Sequence, residues 1–449
     1  MDQDFSSYAT RSVPRYTSYP TAPHFSDNVG PVDYARWLQA LDPADPISLY
    51  LHVPFCREIC WYCGCNMKLA KREDTILSYA ATLMREIRLL ARHLPGRMTV
   101  SHLHWGGGTP TVLSPDALTL AMDTIRSDFE VADGAELALE SDPRSLSDQM
   151  IARIGALGFT RASFGVQEFD PTVQLAINRI QPPDMVHRSV EGLREVGVSG
   201  INFDLIYGLP HQTVDTLART IELCGEMRPD RIALFGYAHV PWVAKKQRMI
   251  DQSALPGASE RLAQAKMAAQ EIQSQGYVPI GLDHFALPTD PLAIAARTGT
   301  LRRNFQGYTT DTATALLGLG ATSIGRTPQG YVQNIPETGA WSRAVNAGQL
   351  PVAKGIALSG DDRLRASVIE ALMCHARVDL AEIARMHDAP VDWYEDLEDD
   401  LQPMLQDGLL TRVGAQISMN PKATHLVRVV AAVFDAYIDT QEKKHSVAV

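Results

Sequence analysis

Four of the six cysteines fall within ten residues: Cys56, Cys60, Cys63 and Cys65 in the stretch LYLHVPFCREICWYCGCN (49–66), while Cys224 and Cys374 stand alone. So uneven a set in a long chain is not a disulfide framework; in a reducing compartment it reads as metal or redox chemistry. Cys56, Cys60 and Cys63 follow C-x3-C-x2-C. Three thiolates can ligate three irons of a cubane cluster, leaving the fourth iron to bind a substrate or cofactor directly. The competing reading is a structural zinc site, which wants four ligands in a closed tetrahedron. Cys65 could offer a fourth sulfur, but ligands two residues apart crowd one centre, and no second C-x2-C knuckle stands elsewhere.

These cysteines need a scaffold. From Ser48 onward, short apolar strand patterns alternate with helical ones. The predicted strands are 48–55, 101–106, 136–141, 161–166, 200–207 and 231–237. Helical patterns lie between them at 76–93, 115–129, 147–157, 183–195 and 213–227, several with Asp or Ser near the start as caps. Such alternation implies βα units on a parallel sheet, either an open partial barrel or a doubly wound sheet. In both, chemistry belongs to the loops at the C-terminal strand ends, and the cysteine loop follows the first strand. Gly106–Gly108 follow the second strand, Glu140 ends the third, Gln167 and Arg179 flank the fourth unit, and Asp204 is read at the analogous turn position on the fifth. His52, His104 and His284 read as hydrogen-bonded structure at strand ends.

The linear division is an irregular arm (1–46, one short helix near 32–41), a core (47–290), a connector (291–360) and a mostly helical domain (361–449). A further helix is expected over 258–276, and YVPIGLDHFAL (277–287) as a seventh strand. Residues 361–449 have a winged-helix outline, yet carry sixteen acidic against nine basic residues. The whole chain of 449 residues has a net charge of −11. That balance argues against nucleic-acid binding, which needs a basic surface. No apolar run of about eighteen residues is present, and the opening lacks the basic start and apolar stretch of a secretory signal. The expectation is a cytoplasmic protein without a membrane span.

C-x3-C-x2-C with an aromatic, here Tyr62, before the last cysteine resembles the radical S-adenosylmethionine superfamily. More of the chain resembles one family within it, the oxygen-independent coproporphyrinogen III oxidases. The shared stretches are PRYTSYPTA (14–22), YLHVPFCREICWYCGCN (50–66), LHWGGGTPT (103–111), DLIYGLP (204–210), GLDHFA (281–286), NFQGYTT (304–310) and KGIALSGDD (354–362). The resemblance implies a partial (β/α)6 barrel with an N-terminal arm and a winged-helix-like C-terminal domain. It implies a [4Fe-4S] cluster on Cys56, Cys60 and Cys63, with Cys65 near it but not a ligand, and two S-adenosylmethionine molecules. Tyr50, Gly107, Glu140 and Ile324 would contact the first. Tyr62, Gly108, Thr109, Gln167, Arg179, Asp204 and Ala238 would contact the second, with Tyr62 where the family commonly has Phe. The implied reaction turns two propionates of coproporphyrinogen III into vinyl groups, giving protoporphyrinogen IX. It needs an electron donor and an electron acceptor that the resemblance leaves unidentified, and the chain is expected to act as a monomer. A substrate with several carboxylates meeting an acidic protein requires local cations, for which Arg15, Arg302 and Arg303 are candidates, with Phe305 and Gln306 beside them. The alternatives on the same scaffold are a heme-binding chaperone and a heme-modifying methyltransferase; the RYTSYP arm, the Cys63–Cys65 extension and NFQGYTT favour the decarboxylating family.

Overall fold

A computed structural model describes residues 5–438 of the chain. They form two compact units that interleave along the sequence. One comprises Ser26–Tyr277 and Asp311–Ile356; the other comprises residues up to Phe25, Val278–Thr310 and the stretch from Ala357 onward.

The larger unit is built on six parallel strands: β1 (Ile47–Val53), β2 (Thr99–Gly107), β3 (Glu130–Ser141), β4 (Arg161–Gln167), β5 (Gly200–Tyr207) and β6 (Arg231–Gly236). They lie side by side in sequence order, as right-handed βα crossovers produce. The helices between them are α1 (Glu73–Ala91), α2 (Pro115–Asp128), α3 (Asp148–Ala156), α4 (Pro183–Glu195) and α5 (Val214–Met227), and α6 (Ala258–Ser274) follows β6. Ser114, Ser147 and Thr213 cap α2, α3 and α5 by accepting a backbone N–H of the first turn, which satisfies donors the helix itself cannot. On the other side of β1 the sheet continues through β7 (Ala315–Leu319), β8 (Ile324–Thr327), β9 (Gly330–Asn334) and β10 (Val352–Ala357). The six βα units therefore make part of a barrel, because β1 pairs with β7 where a closed barrel would return to its last strand. In-register apolar rows such as Leu49, Leu103 and Leu137, or Phe164, Phe203 and Ile232, fill its core.

The buried carboxylate of Glu86 on α1 joins the first helix to the returning strands. It accepts Gly320 N–H at 2.7 Å, Asn334 Nδ2 at 2.6 Å and Trp341 Nε1 at 3.1 Å. Alongside it, the Tyr79 hydroxyl donates to His52 O at 2.7 Å and accepts Ala321 N–H at 3.0 Å. The end of β1 and the turn after β7 are thus tied together below the cysteine loop.

In the smaller unit the order helix (Gly360–His375), strand (Arg377–Asp379), helices (Leu380–Met386, Glu398–Gln406) and two strands (Leu410–Val413, Gln416–Met419) is that of a winged helix. The strand at 416–419 lies between the other two. The arm's Tyr8, Val13, Tyr16 and Tyr19 are buried in the same core as Val368, Leu372 and Phe434. Tyr8 and Tyr16 donate to Asp407 and Asp435 at 2.6 and 3.0 Å. The expected seventh strand over 277–287 is instead an antiparallel hairpin, Val278–Ile280 against His284–Ala286. The reason is Gly281, whose φ of +57° turns the chain back where an extended run would continue. Among the described residues no helix is long and apolar enough to cross a membrane.

Candidate active site

The site assembles at the C-terminal ends of the parallel strands of the larger unit. After β1 the chain turns through Cys56 and loops to Met67. Backbone N–H groups of Cys63 and Met67 close the loop on Cys60 O and Cys65 O. Each of the three sulfurs has its own donor. Thr109 Oγ1 donates to Cys56 Sγ at 3.4 Å; Arg144 Nη2 and Arg179 Nη1 donate to Cys60 Sγ at 3.3 and 3.4 Å; the Cys65 N–H donates to Cys63 Sγ at 3.4 Å. Donors of this kind, two of them cationic, suit sulfurs that carry negative charge. Burial pushes the free Cys56 thiol up to about 11, with Thr109 opposing. A hydrogen bond from the Cys65 thiol outweighs burial there and, with Lys246 nearby, brings Cys63 down to about 6. Among the described residues no three Cys, His, Asp or Glu side chains converge as ligands of a single ion do. Three thiolates with such donors are the set that a cluster with one open iron takes, whereas a closed zinc tetrahedron wants a fourth ligand.

The expected cofactor contacts gather around this loop in two groups. In the first, Gly107 N–H donates to Glu140 Oε2 at 2.9 Å and His104 Nε2 lies 3.4 Å from Glu140 Oε1. Burial opposes ionisation of Glu140, but His104, Gly107 and His52 hold its carboxyl below the usual range. The Tyr50 hydroxyl pairs with His52 Nδ1 at 3.0 Å, and its ring stacks on His104. Tyr50 is in register with Gly318; a Cβ there would lie 2.7 Å from Ile324 O, so the glycine lets Ile324 come close against β7. Gly107, at φ +111°, is hemmed in as well: a Cβ would meet the His52 ring at 2.5 Å. A side chain at Gly108 would strike Phe55 O at 2.6 Å.

The second group converges on Gly165 of β4. Gln167 Nε2 and Arg179 Nη2 flank it, Arg179 Nε donates to its carbonyl at 2.9 Å, and Asp204 is its register partner. Gln167 adopts a φ of +66°, rare for a residue with a side chain, and its buried Oε1 has no hydrogen-bond partner. Strain and an unmet acceptor are features that cluster at functional sites. The Tyr62 and Ala238 carbonyls are bridged by the buried Gln247 amide, at 2.7 and 3.1 Å. Thr109, expected at the second cofactor, is occupied with Cys56.

The substrate-side candidates lie in the other unit. Arg303 Nε and Nη2 donate to Tyr16 O and Arg15 O at 3.3 and 3.4 Å. Arg302 faces Glu370 at 3.7 Å. Phe305 and Gln306 occupy the turn of the hairpin Arg302–Asn304/Gly307–Thr309, where Gln306 N–H bonds Asn304 Oδ1 at 2.9 Å.

Sequence reasoning missed Asp142, Arg144, Lys246 and Gln247. Asp142 is held down to about 2: burial works against this, and Arg179 and Arg144 overcome it. Both arginines reach it, at 3.3 and 2.7 Å, while touching Cys60. Asp142 and Arg144 sit in the turn leaving β3, two and four residues past Glu140, so the rule that chemistry follows strand ends could have found them. Lys246, which donates to Cys65 O at 3.0 Å, and Gln247 belong to a turn of 3-10 helix with no local signature.

Residues 50–224 match the model of the Radical SAM superfamily. A Bradyrhizobium diazoefficiens protein named oxygen-independent coproporphyrinogen III oxidase is 49% identical over 443 residues, covering 99% of this chain and 98% of that one. A Pseudomonas aeruginosa protein of the same name is 39% identical over 437 residues, covering 96% and 95%. The solved structure of an Escherichia coli coproporphyrinogen III oxidase, described as a radical SAM enzyme, superposes with a TM-score of 0.91 at 36% identity, covering 95% of this chain and all of that one. With near-full-length identity joined to a barrel that sets three cysteines in its first loop, the chain belongs to the oxygen-independent coproporphyrinogen III oxidase family of the radical SAM superfamily.

Proposed function

We propose that this protein, acting as a monomer in the cytoplasm, oxidatively decarboxylates two propionates of coproporphyrinogen III to vinyl groups, forming protoporphyrinogen IX without oxygen. What supports the reading is family membership over the full chain, together with a cysteine loop whose three sulfurs each accept a hydrogen bond. When bound, the [4Fe-4S] cluster and S-adenosylmethionine supply a 5′-deoxyadenosyl radical able to take a hydrogen from a propionate side chain. Cys56, Cys60 and Cys63 would hold the cluster, with Arg144 and Arg179 offsetting the negative charge of the sulfurs.

Tyr50, Gly107, Glu140 and Ile324 would bind a first S-adenosylmethionine, Gly107 and Glu140 offering polar backbone and a carboxylate held ionised. Tyr62, Gly108, Thr109, Gln167, Arg179, Asp204 and Ala238 would bind a second. Gln247 holds two carbonyls of this second group at fixed spacing, and the buried glutamines Gln174 and Gln181 brace the Gln167 turn by donating to Glu168 O and Gly165 O. A net charge of −11 repels a polycarboxylate at long range. Arg15 and Arg303 would counter this locally; Arg303 Nη1 is a buried donor without a hydrogen-bond partner.

The test is an anaerobic assay of reconstituted protein with coproporphyrinogen III, S-adenosylmethionine and a reductant. The expected product has lost two CO2, with one methionine and one 5′-deoxyadenosine formed per decarboxylation. A methylated product, or heme retention without turnover, refutes the reading in favour of the methyltransferase or the chaperone.

A further inference from the structure

Coproporphyrinogen presents two kinds of recognition group. Its propionates point outward as anions. Its pyrrole N–H groups, four in all, point inward as donors. Because the rings are joined by sp3 bridges, the macrocycle can pucker until those donors converge on one acceptor. A planar, oxidised porphyrin cannot do this: it keeps only two inner N–H groups, which face each other within the ring plane. A site that selects the porphyrinogen therefore wants one anionic acceptor near the middle and cations around it.

The smaller unit contains that combination. Asp283 lies in the hairpin turn just after Gly281, immediately before the strand His284–Ala286. Its Oδ1 accepts from His284 Nδ1 at 2.7 Å, and its side chain keeps 23% of its surface exposed, so it is held but reachable. The Tyr308 ring gathers the neighbours: His284 meets it edge-on at 5.2 Å, and the Arg303 guanidinium lies over it at 4.5 Å. Its hydroxyl accepts Leu282 N–H at 2.9 Å and donates to Met373 O at 2.9 Å, which fixes the turn carrying Asp283. Arg303 reaches Arg15 O. Burial works against ionisation of Asp283, and His284 first, then Arg303 and Arg15, hold its carboxyl below the usual range. A buried carboxylate with cations on one side is usually a closed ion pair. Here Arg303 donates to Tyr16 O and Arg15 O and still leaves Nη1 without a partner. A guanidinium donor enclosed without a partner is costly, so the cluster holds cationic charge in excess beside an acceptor that donors can reach.

We infer that Asp283 is the acceptor for the converging pyrrole N–H groups of the substrate, with Arg303 and Arg15 taking its propionates. This rests on the function proposed above and adds to it the residue that would distinguish porphyrinogen from porphyrin.

The experiment measures anaerobic binding of coproporphyrinogen III and of oxidised coproporphyrin III to the reconstituted full chain, wild type and Asp283→Ala. Removing a charged acceptor shared by several N–H donors should weaken porphyrinogen binding by at least about 30-fold. Porphyrin binding, which uses the same carboxylates but not the converged donors, should change by less than about threefold. Arg303→Ala should weaken both ligands alike. Asp283→Asn, which keeps the shape and one acceptor oxygen, should fall between wild type and Asp283→Ala, and it decides the matter if the alanine variant loses its circular dichroism or its iron. Equal losses for the two ligands, or no loss for either, would overturn the inference. Should the wild type bind neither ligand, it is the proposed function that fails.

Discussion

Replacing Glu86 by Gln gives a sign-specific test of how the barrel closes on its returning strands. The carboxyl is fully enclosed. Burial raises it to about 7 although Gly320 N–H, Asn334 Nδ2 and Trp341 Nε1 all favour the anion. In the unfolded chain it returns to the ordinary value near 4.5. A raised folded value means the native state holds a proton that the unfolded state has released. Glu86 therefore contributes its full stability below about pH 4.5 and loses it as the pH climbs through about 7. At 1.36 kcal/mol per pH unit the loss is about 3 kcal/mol. Glutamine cannot ionise, so its contribution stays flat. It does turn an NH2 toward either Asn334 or the Gly320–Trp341 pair. Asn334 cannot rotate to accommodate it without giving up its 3.0 Å bond to Gly320 O, a fixed cost of about 1–2 kcal/mol. Urea unfolding of both proteins from about pH 5 to pH 8, followed by Trp341 fluorescence and circular dichroism, should show Glu86→Gln gaining on the wild type as pH rises. The difference should move by about 2.5 kcal/mol over that range, the rest of the loss falling below pH 5. If the wild type instead gains on the variant with rising pH, the three donors dominate over burial and the reasoning is wrong.

Serine at Cys56, Cys60 or Cys63 should abolish iron–sulfur absorbance and product formation together, whereas Cys65→Ser should keep the iron, as measured by iron and sulfide content after anaerobic reconstitution. Arg179→Ala removes a cation that touches Cys60, and Asp142 stays paired with Arg144; the fold should persist. The bound cluster should become harder to reduce, so that its midpoint potential by electron paramagnetic resonance is more negative than that of the wild type. An unchanged or higher potential removes Arg179 from the cluster's electrostatic surroundings. Arg15→Ala should weaken coproporphyrinogen binding roughly tenfold, the scale of one charge-assisted hydrogen bond, with cluster content intact; unchanged affinity would take Arg15 out of the substrate site.

Much of this protein is legible one residue type at a time. Cys56, Cys60 and Cys63 stand out by spacing, because three thiolates in one short loop can reach one cluster together. The βα alternation declares the parallel sheet, since apolar period and capping residues are local properties. Glu140 was reachable by the rule that strand ends carry chemistry, whereas Asp204 lies inside β5. What the order of residues does not contain is the meeting of distant side chains. Arg144 and Arg179 come to the same sulfur from different turns, 84 and 119 residues along the chain from Cys60. Glu86 finds its donors more than 230 residues away. The 277–287 stretch has the composition of a strand, yet one positive φ at Gly281 makes it a hairpin and brings Asp283 into the electrostatic range of Arg303. Spacing along the chain determines which atoms can share a loop; only packing decides which charges share a low-dielectric interior, and there a neighbour a few ångströms away outweighs any local preference.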